Sequence, residues 1–123
     1  MQLTREFHFD AAHSLQSYEQ GHPNTRIHGH SFRVRVTLQG QPSDETGQIL
    51  DLAVFGQALE AVRLHLDHHM LNDIKGLENP TLENICLWLW DQLQTDLEDL
   101  YAVEVSRDSL GQSCLYKGSH HGK

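Results

Sequence analysis

Two histidines separated by a single residue, His28 and His30, together with His13, are the side chains whose type and spacing point most directly to chemistry. In a strand, residues two apart point the same way, so H-G-H sends both imidazoles from one face, about 7 Å apart along the chain. Gly29 is expected to leave room between them. If the segment ending at His13 pairs antiparallel with the segment beginning at His28, all three rings meet at one end of a hairpin. Three imidazoles with an open fourth position are the pattern of catalytic zinc, which polarises a substrate oxygen, whereas structural zinc usually has four ligands rich in Cys. Taken singly, each ring reads as a half-buried histidine satisfied by hydrogen bonds, and H-x-H alone is a weak motif. Three rings converging at a strand junction favour a metal.

A second group is His65, Asp67, His68 and His69. An Asp beside a His orients the imidazole and stabilises its protonated form, as general acid-base catalysis requires. From spacing alone the group reads better as a helix C-terminus, where cationic side chains are favoured. His65 and His69 are four apart but lack the Glu of H-E-x-x-H, so a helical zinc-protease site does not fit.

Positioning these residues requires strands at both ends of the chain and helices between. Leu3, Phe7, Phe9, Ala11 and His13 alternate with Thr4, Glu6, His8 and Asp10, predicting a strand over 3–13 in which Arg5 is a misfit. His28, His30, Phe32, Val34, Val36 and Leu38 share a face opposite Arg33, Arg35, Thr37 and Gln39, a cleaner strand over 28–39. The polar stretch from Ser14 to Ile27 is too long for a tight turn and is a candidate functional loop. GQPSDETG supplies turn residues after the second strand.

Leu52, Phe55, Leu59, Val62 and Leu66 recur at helical spacing behind Asp51, a good N-cap. Thr81 can cap a second helix running to about Leu97, with Leu82, Ile85, Leu89 and Leu93 on its apolar face. Tyr101 to Arg107 and Ser113 to Tyr116 read as two short strands around a turn at Asp108 to Gln112, where Gly111 permits the reversal. The expected order is strand, strand, helix, helix, strand, strand.

At 123 residues the chain fits one domain, expected over 1–118, with a flexible tail over 119–123 that carries His120 and His121. A composition 38% hydrophobic and 21% charged is that of a folded globular protein. A net charge of -8 with nine Lys and Arg argues against a nucleic-acid surface, although a few cations could still converge on a small anionic substrate. No apolar run approaches the roughly 20 residues that span a bilayer, and MQLTREFHFD lacks the features of a secretion signal, so a cytoplasmic protein is expected. Cys86 and Cys114 belong to no C-x-x-C pair and are read as buried free thiols.

Several motifs in the same order resemble one known family along nearly the whole chain. They are F-x-F-D-A-A-H at Phe7 to His13, G-H at Gly21, H-G-H-S-F at His28 to Phe32, L-D-H-H-x-L-N-D at Leu66 to Asp73, L-E-N-P-T at Leu77 to Thr81 and C-L-Y-K-G at Cys114 to Gly118. This is similar to the 6-pyruvoyltetrahydropterin synthase and 6-carboxytetrahydropterin synthase family, and the short length and L-E-N-P-T lean towards its bacterial carboxytetrahydropterin branch, associated with queuosine biosynthesis.

The resemblance implies an α+β tunnelling fold, a four-stranded antiparallel sheet with two helices, assembled as homotrimers or homohexamers with sites at subunit boundaries. It implies zinc on His13, His28 and His30, a proton-transferring pair in Asp67 and His68, and pterin-side positions at Thr81, Glu83 and Asp108. The substrate of the relatives is 7,8-dihydroneopterin triphosphate, and the implied activity is that of a zinc-dependent lyase.

Two departures stand out. The family places a catalytic Cys four residues before the first His of H-G-H, and here that position is Asn24, whose amide cannot act as a thiolate-type base. The carboxylate that anchors the pterin's guanidine-like edge is a Glu in the family and aligns here with Asp108, one methylene shorter. These changes leave two alternatives to a standard enzyme: a paralogue that binds pterin without the usual reaction, and a metal-stabilised structural protein.

Overall fold

In the computed structural model, residues 1–16 and 18–118 are described. The expected tail at 119–123, with His120 and His121, lies outside them. Strand β1 runs Gln2–His13 and β2 His28–Gln39; helices α1 and α2 span Leu52–Leu66 and Leu82–Leu93; β3 and β4 are Leu100–Arg107 and Gln112–Lys117. The strands form one antiparallel sheet in the order β1-β2-β3-β4.

Alternation decides which way the sheet faces. Phe9, Phe32, Val34, Val36, Leu38, Val103 and Val105 point from one face into the core, where Phe55, Leu59, Leu66, Ile85, Leu89 and Leu93 of the two helices meet them. Helix α1 packs on β1, and α2 on β3 and β4. The opposite face is polar, with Arg33 and Arg35 bonding Glu6 at 3.2 and 2.9 Å. The misfit Arg5 sits exposed at the margin of the core-facing side, where its guanidinium donates to the Leu52 carbonyl at the start of α1.

Both expected caps form. The Asp51 carboxylate accepts from the backbone N–H groups of Ala53 and Val54, and the Thr81 hydroxyl from that of Asn84. Helix α2 stops at Leu93 rather than near Leu97, because the chain must turn to enter β3 at Leu100. Leu97 is nonetheless buried, so its apolar character prolongs a helical pattern that the backbone has already left. Gly111, at a φ of 63°, closes the last hairpin in the left-handed region that favours glycine.

Cys86 is buried and Cys114 half-buried, and both are free, as expected; the Cys86 thiol donates to the Cys114 carbonyl at 3.3 Å. Among the described residues no helix is long and apolar enough to cross a membrane.

Candidate metal centre

The register of β1 against β2 pairs His13 with His28 and Ala11 with His30, so the hairpin brings the three imidazoles to its open end. Their ring centroids lie 4.6, 4.8 and 4.9 Å apart, and one nitrogen from each falls within 4.8 Å of the others. Gly29 does not create this space. A Cβ there would meet nothing nearer than the Ala11 carbonyl at 3.7 Å, because alternation turns position 29 to the opposite face from the rings.

Hydrogen bonds settle which nitrogens are available. His13 Nδ1 lies 3.0 Å from the Pro80 carbonyl and His28 Nδ1 2.7 Å from that of Arg26. A carbonyl only accepts, so each Nδ1 carries the proton and each Nε2 keeps its lone pair. Such an outer partner on the far nitrogen is what orients metal-binding histidines. Among the described residues, the Nε2 atoms of His13 and His30 are buried with no hydrogen-bond partner. Leaving them unpaired is costly unless a ligand satisfies them, and a cation fits that donor set.

Burial favours the neutral form of two of the rings, His13 and His30. Burial lowers the His13 pKa from 6.5 to about 4, against the opposing Pro80 hydrogen bond and with smaller contributions from His28, His30 and Arg107. Burial also lowers His30, with Arg107 and His28 adding to the effect. The stability consequence has a definite sign. In metal-free protein, the unfolded chain takes up a proton at His13 as pH falls below 6.5, while the folded chain declines it until about 4. Stability is thus lost across that window, by about 3 kcal/mol in total for this group, and its contribution is flat below it. Urea melts of the metal-free protein across the window, compared with His13→Gln, should show the loss in the parent and a shallower slope in the variant.

The Asp67 and His68 pair lies along the free edge of β1. Asp10 N–H donates to Asp67 Oδ1 at 2.9 Å, His68 N–H donates to the Asp10 carbonyl, and Ala12 N–H donates to the His69 carbonyl. His68 Nδ1 donates to Asp67 Oδ2 at 2.7 Å, and Arg63 reaches the same oxygen at 3.3 Å. The Asp10 N–H and His68 hold the Asp67 carboxyl below its ordinary pKa. His68 adopts a φ of 59° and its side chain is 80% exposed. The second group is therefore more than a cationic helix end, since Asp67 fixes the His68 tautomer and leaves Nε2 open. His69 bonds the Asp67 carbonyl through Nδ1 instead.

Asn24 sits half-buried in the loop, in a short 3₁₀ turn at Pro23–Thr25 whose cap is the His22 ring, Nδ1 accepting from Asn24 N–H. The Asn24 carbonyl accepts from Leu15 N–H at 2.7 Å. Leu15, Tyr18, Thr81, Leu82, Glu83 and Arg107 line a cavity of about 250 Å³. The cavity adjoins the imidazoles, since Leu15 lies two residues after His13 and Thr81 follows the Pro80 that holds the His13 ring.

Asp108 is not among the residues lining that cavity. Its carboxylate is engaged by Arg33 at 2.9 and 3.2 Å on the polar face of the sheet, which holds its pKa below the ordinary value. The β3 alternation explains this placement: Val103, Val105 and Arg107 share the core-facing side, and Asp108 begins the turn beyond them. Arg107 lines the cavity, and the alternation of β3 carried one step past Val105 places it on that side.

The chain matches the family model described as 6-pyruvoyl tetrahydropterin synthase over residues 2–119. It is 41% identical to a 6-carboxy-5,6,7,8-tetrahydropterin synthase of Synechocystis, covering 84% of this chain and 83% of the relative. It is 34% identical to the dihydroneopterin monophosphate aldolase of Pyrococcus furiosus, over 83% and 81% of the two chains. The solved 6-pyruvoyl tetrahydropterin synthase of Caenorhabditis elegans superposes with a TM-score of 0.86 at 25% identity, covering 97% of this chain and 96% of that one.

Proposed function

This chain belongs to the 6-pyruvoyl tetrahydropterin synthase family, and from that membership we propose that it is a zinc-dependent lyase acting on the side chain of a dihydropterin. The observation that carries the reading is the imidazole triad, with two buried Nε2 atoms that find no hydrogen-bond partner among the described residues. His13, His28 and His30 would hold the ion, which when bound supplies Lewis acidity to hydroxyl oxygens of the substrate side chain. Asp67 keeps the proton on His68 Nδ1, so His68 Nε2 takes a proton from the substrate and returns one. Thr81 and Glu83 flank the pterin, Glu83 offering the carboxylate that the cavity retains.

Because the His68 side chain projects outward, the pair is read as serving a site completed by a neighbouring copy, in a cytoplasmic homotrimer or homohexamer. Incubating the zinc-loaded protein with 7,8-dihydroneopterin, its monophosphate and its triphosphate, and following products by mass spectrometry, tests the activity. Formation of no product beyond that of metal-free protein would remove it.

Asn24 favours a second reading, a paralogue that binds pterin without the standard reaction of the family. The aldolase relative makes cleavage of the side-chain carbon bond an alternative outcome for the same pocket. Asn24→Cys separates the two. If Asn24 alone withholds the standard reaction, the variant should raise turnover of the triphosphate by about 10²-fold or more, the usual worth of one acid-base group. An unchanged rate in a protein that already turns over a dihydropterin would show that the chemistry does not need the thiol.

A further inference from the structure

Arg107 stands on the wall of the cavity, where burial lowers its pKa and the charges of Tyr18 and Glu83 only partly oppose that. Its guanidinium is half-buried, its Nε is buried without a hydrogen-bond partner, and it forms no ion pair within 4 Å among the described residues. It lines the same cavity as Glu83, and its charge acts on both His13 and His30. Arginine stays charged at any working pH, and burying an unpaired guanidinium beside a cation site is unfavourable unless an anion enters with the ligand.

Charge bookkeeping in the cavity leads to the same conclusion. Three neutral imidazoles holding a divalent ion, with Arg107 beside them, outweigh the single carboxylate of Glu83. Asp108, in the turn after β3, cannot redress the balance because Arg33 holds it on the opposite face. A guanidinium offers a planar pair of N–H donors suited to phosphate or carboxylate oxygens, and it would repel the donor-rich edge of a pterin ring.

We propose that Arg107 is the specificity-determining residue of this pocket, binding an oxyanion carried on the substrate side chain so that the pocket selects charged over neutral dihydropterins. This rests on the reading that the pocket takes a dihydropterin. Arg107 contacts the ligand and takes no part in proton transfer.

The test is calorimetric titration of the zinc-loaded protein with 7,8-dihydroneopterin, its monophosphate and, separately, inorganic phosphate. The parent should bind the monophosphate about 10-fold or more tightly than the uncharged compound, the worth of a hydrogen bond to a charged group. Arg107→Gln should erase most of that preference and weaken phosphate itself, while Arg107→Lys keeps part of both. Metal content measured on each variant shows that the centre is intact.

Equal affinity for the two pterins in the parent, or a preference that survives Arg107→Gln, overturns the assignment while leaving the lyase reading in place. Phosphate binding that depends on Arg107, with no binding of either pterin, keeps the oxyanion site and overturns the dihydropterin reading. Binding of none of the three ligands removes both.

Discussion

Replacing His30 with alanine should lower zinc affinity by more than about 100-fold and abolish zinc-dependent turnover, since losing even an outer hydrogen-bond partner of a metal ligand costs 10–100-fold. The sharper expectation concerns stability. His30 Nε2 is buried and unpaired, so in metal-free protein its removal relieves a desolvation cost of about 1–3 kcal/mol, which offsets the packing lost with the ring. The metal-free variant should therefore unfold within about 1 kcal/mol of the metal-free parent, whereas saturating zinc stabilises the parent far more than the variant. Metal analysis and paired urea melts with and without zinc check both parts. His8→Ala, on the polar face, should leave metal content unchanged. A large destabilisation of the metal-free His30→Ala protein, with zinc retained, would mean that these rings are packing residues.

Removing the proposed proton carrier should cost nearly as much in rate but nothing in metal. His68→Asn is the informative substitution, because His68 has a φ of 59° and Asn tolerates left-handed backbone better than Ala. With the side chain 80% exposed, stability should move by no more than about 0.5 kcal/mol. Turnover should fall by about 10²–10⁴, the usual worth of a general acid-base group, with zinc content and substrate affinity close to those of the parent. Asp67→Asn should also lower kcat, because an amide no longer selects the Nδ1–H tautomer and the bond from Asp10 N–H is weakened. Steady-state rates across pH, with binding measured separately, distinguish this from a merely structural role. A His68→Asn enzyme at the parental rate would assign the proton transfer elsewhere.

Sequence pattern alone carried the site as far as local periodicity reaches. A period of two placed His13, His28 and His30 on one side of their strands, and the polar stretch between them required a long connection and so a hairpin open at that end. Asp51 and Thr81 announced their helices because capping is local chemistry, satisfied within three residues along the chain. The family motifs named the second pair, Asp67 and His68, which spacing by itself could not separate from an ordinary helix end.

Tertiary structure decided what depends on contacts distant in sequence. Whether Arg107 or Asp108 faces the pocket turns on where strand β3 gives way to its turn and on the presence of Arg33, 75 residues away, to claim the carboxylate. The available Nε2 lone pairs of His13 and His28 follow from the Pro80 and Arg26 carbonyls that fold against their rings, and the outward projection of His68 follows from the edge of β1 binding its backbone. Side-chain type and strand phase are properties of the chain and can be read from it; which polar atoms remain unpaired is a property of the packed molecule, because each must be counted against every neighbour that folding brings within reach.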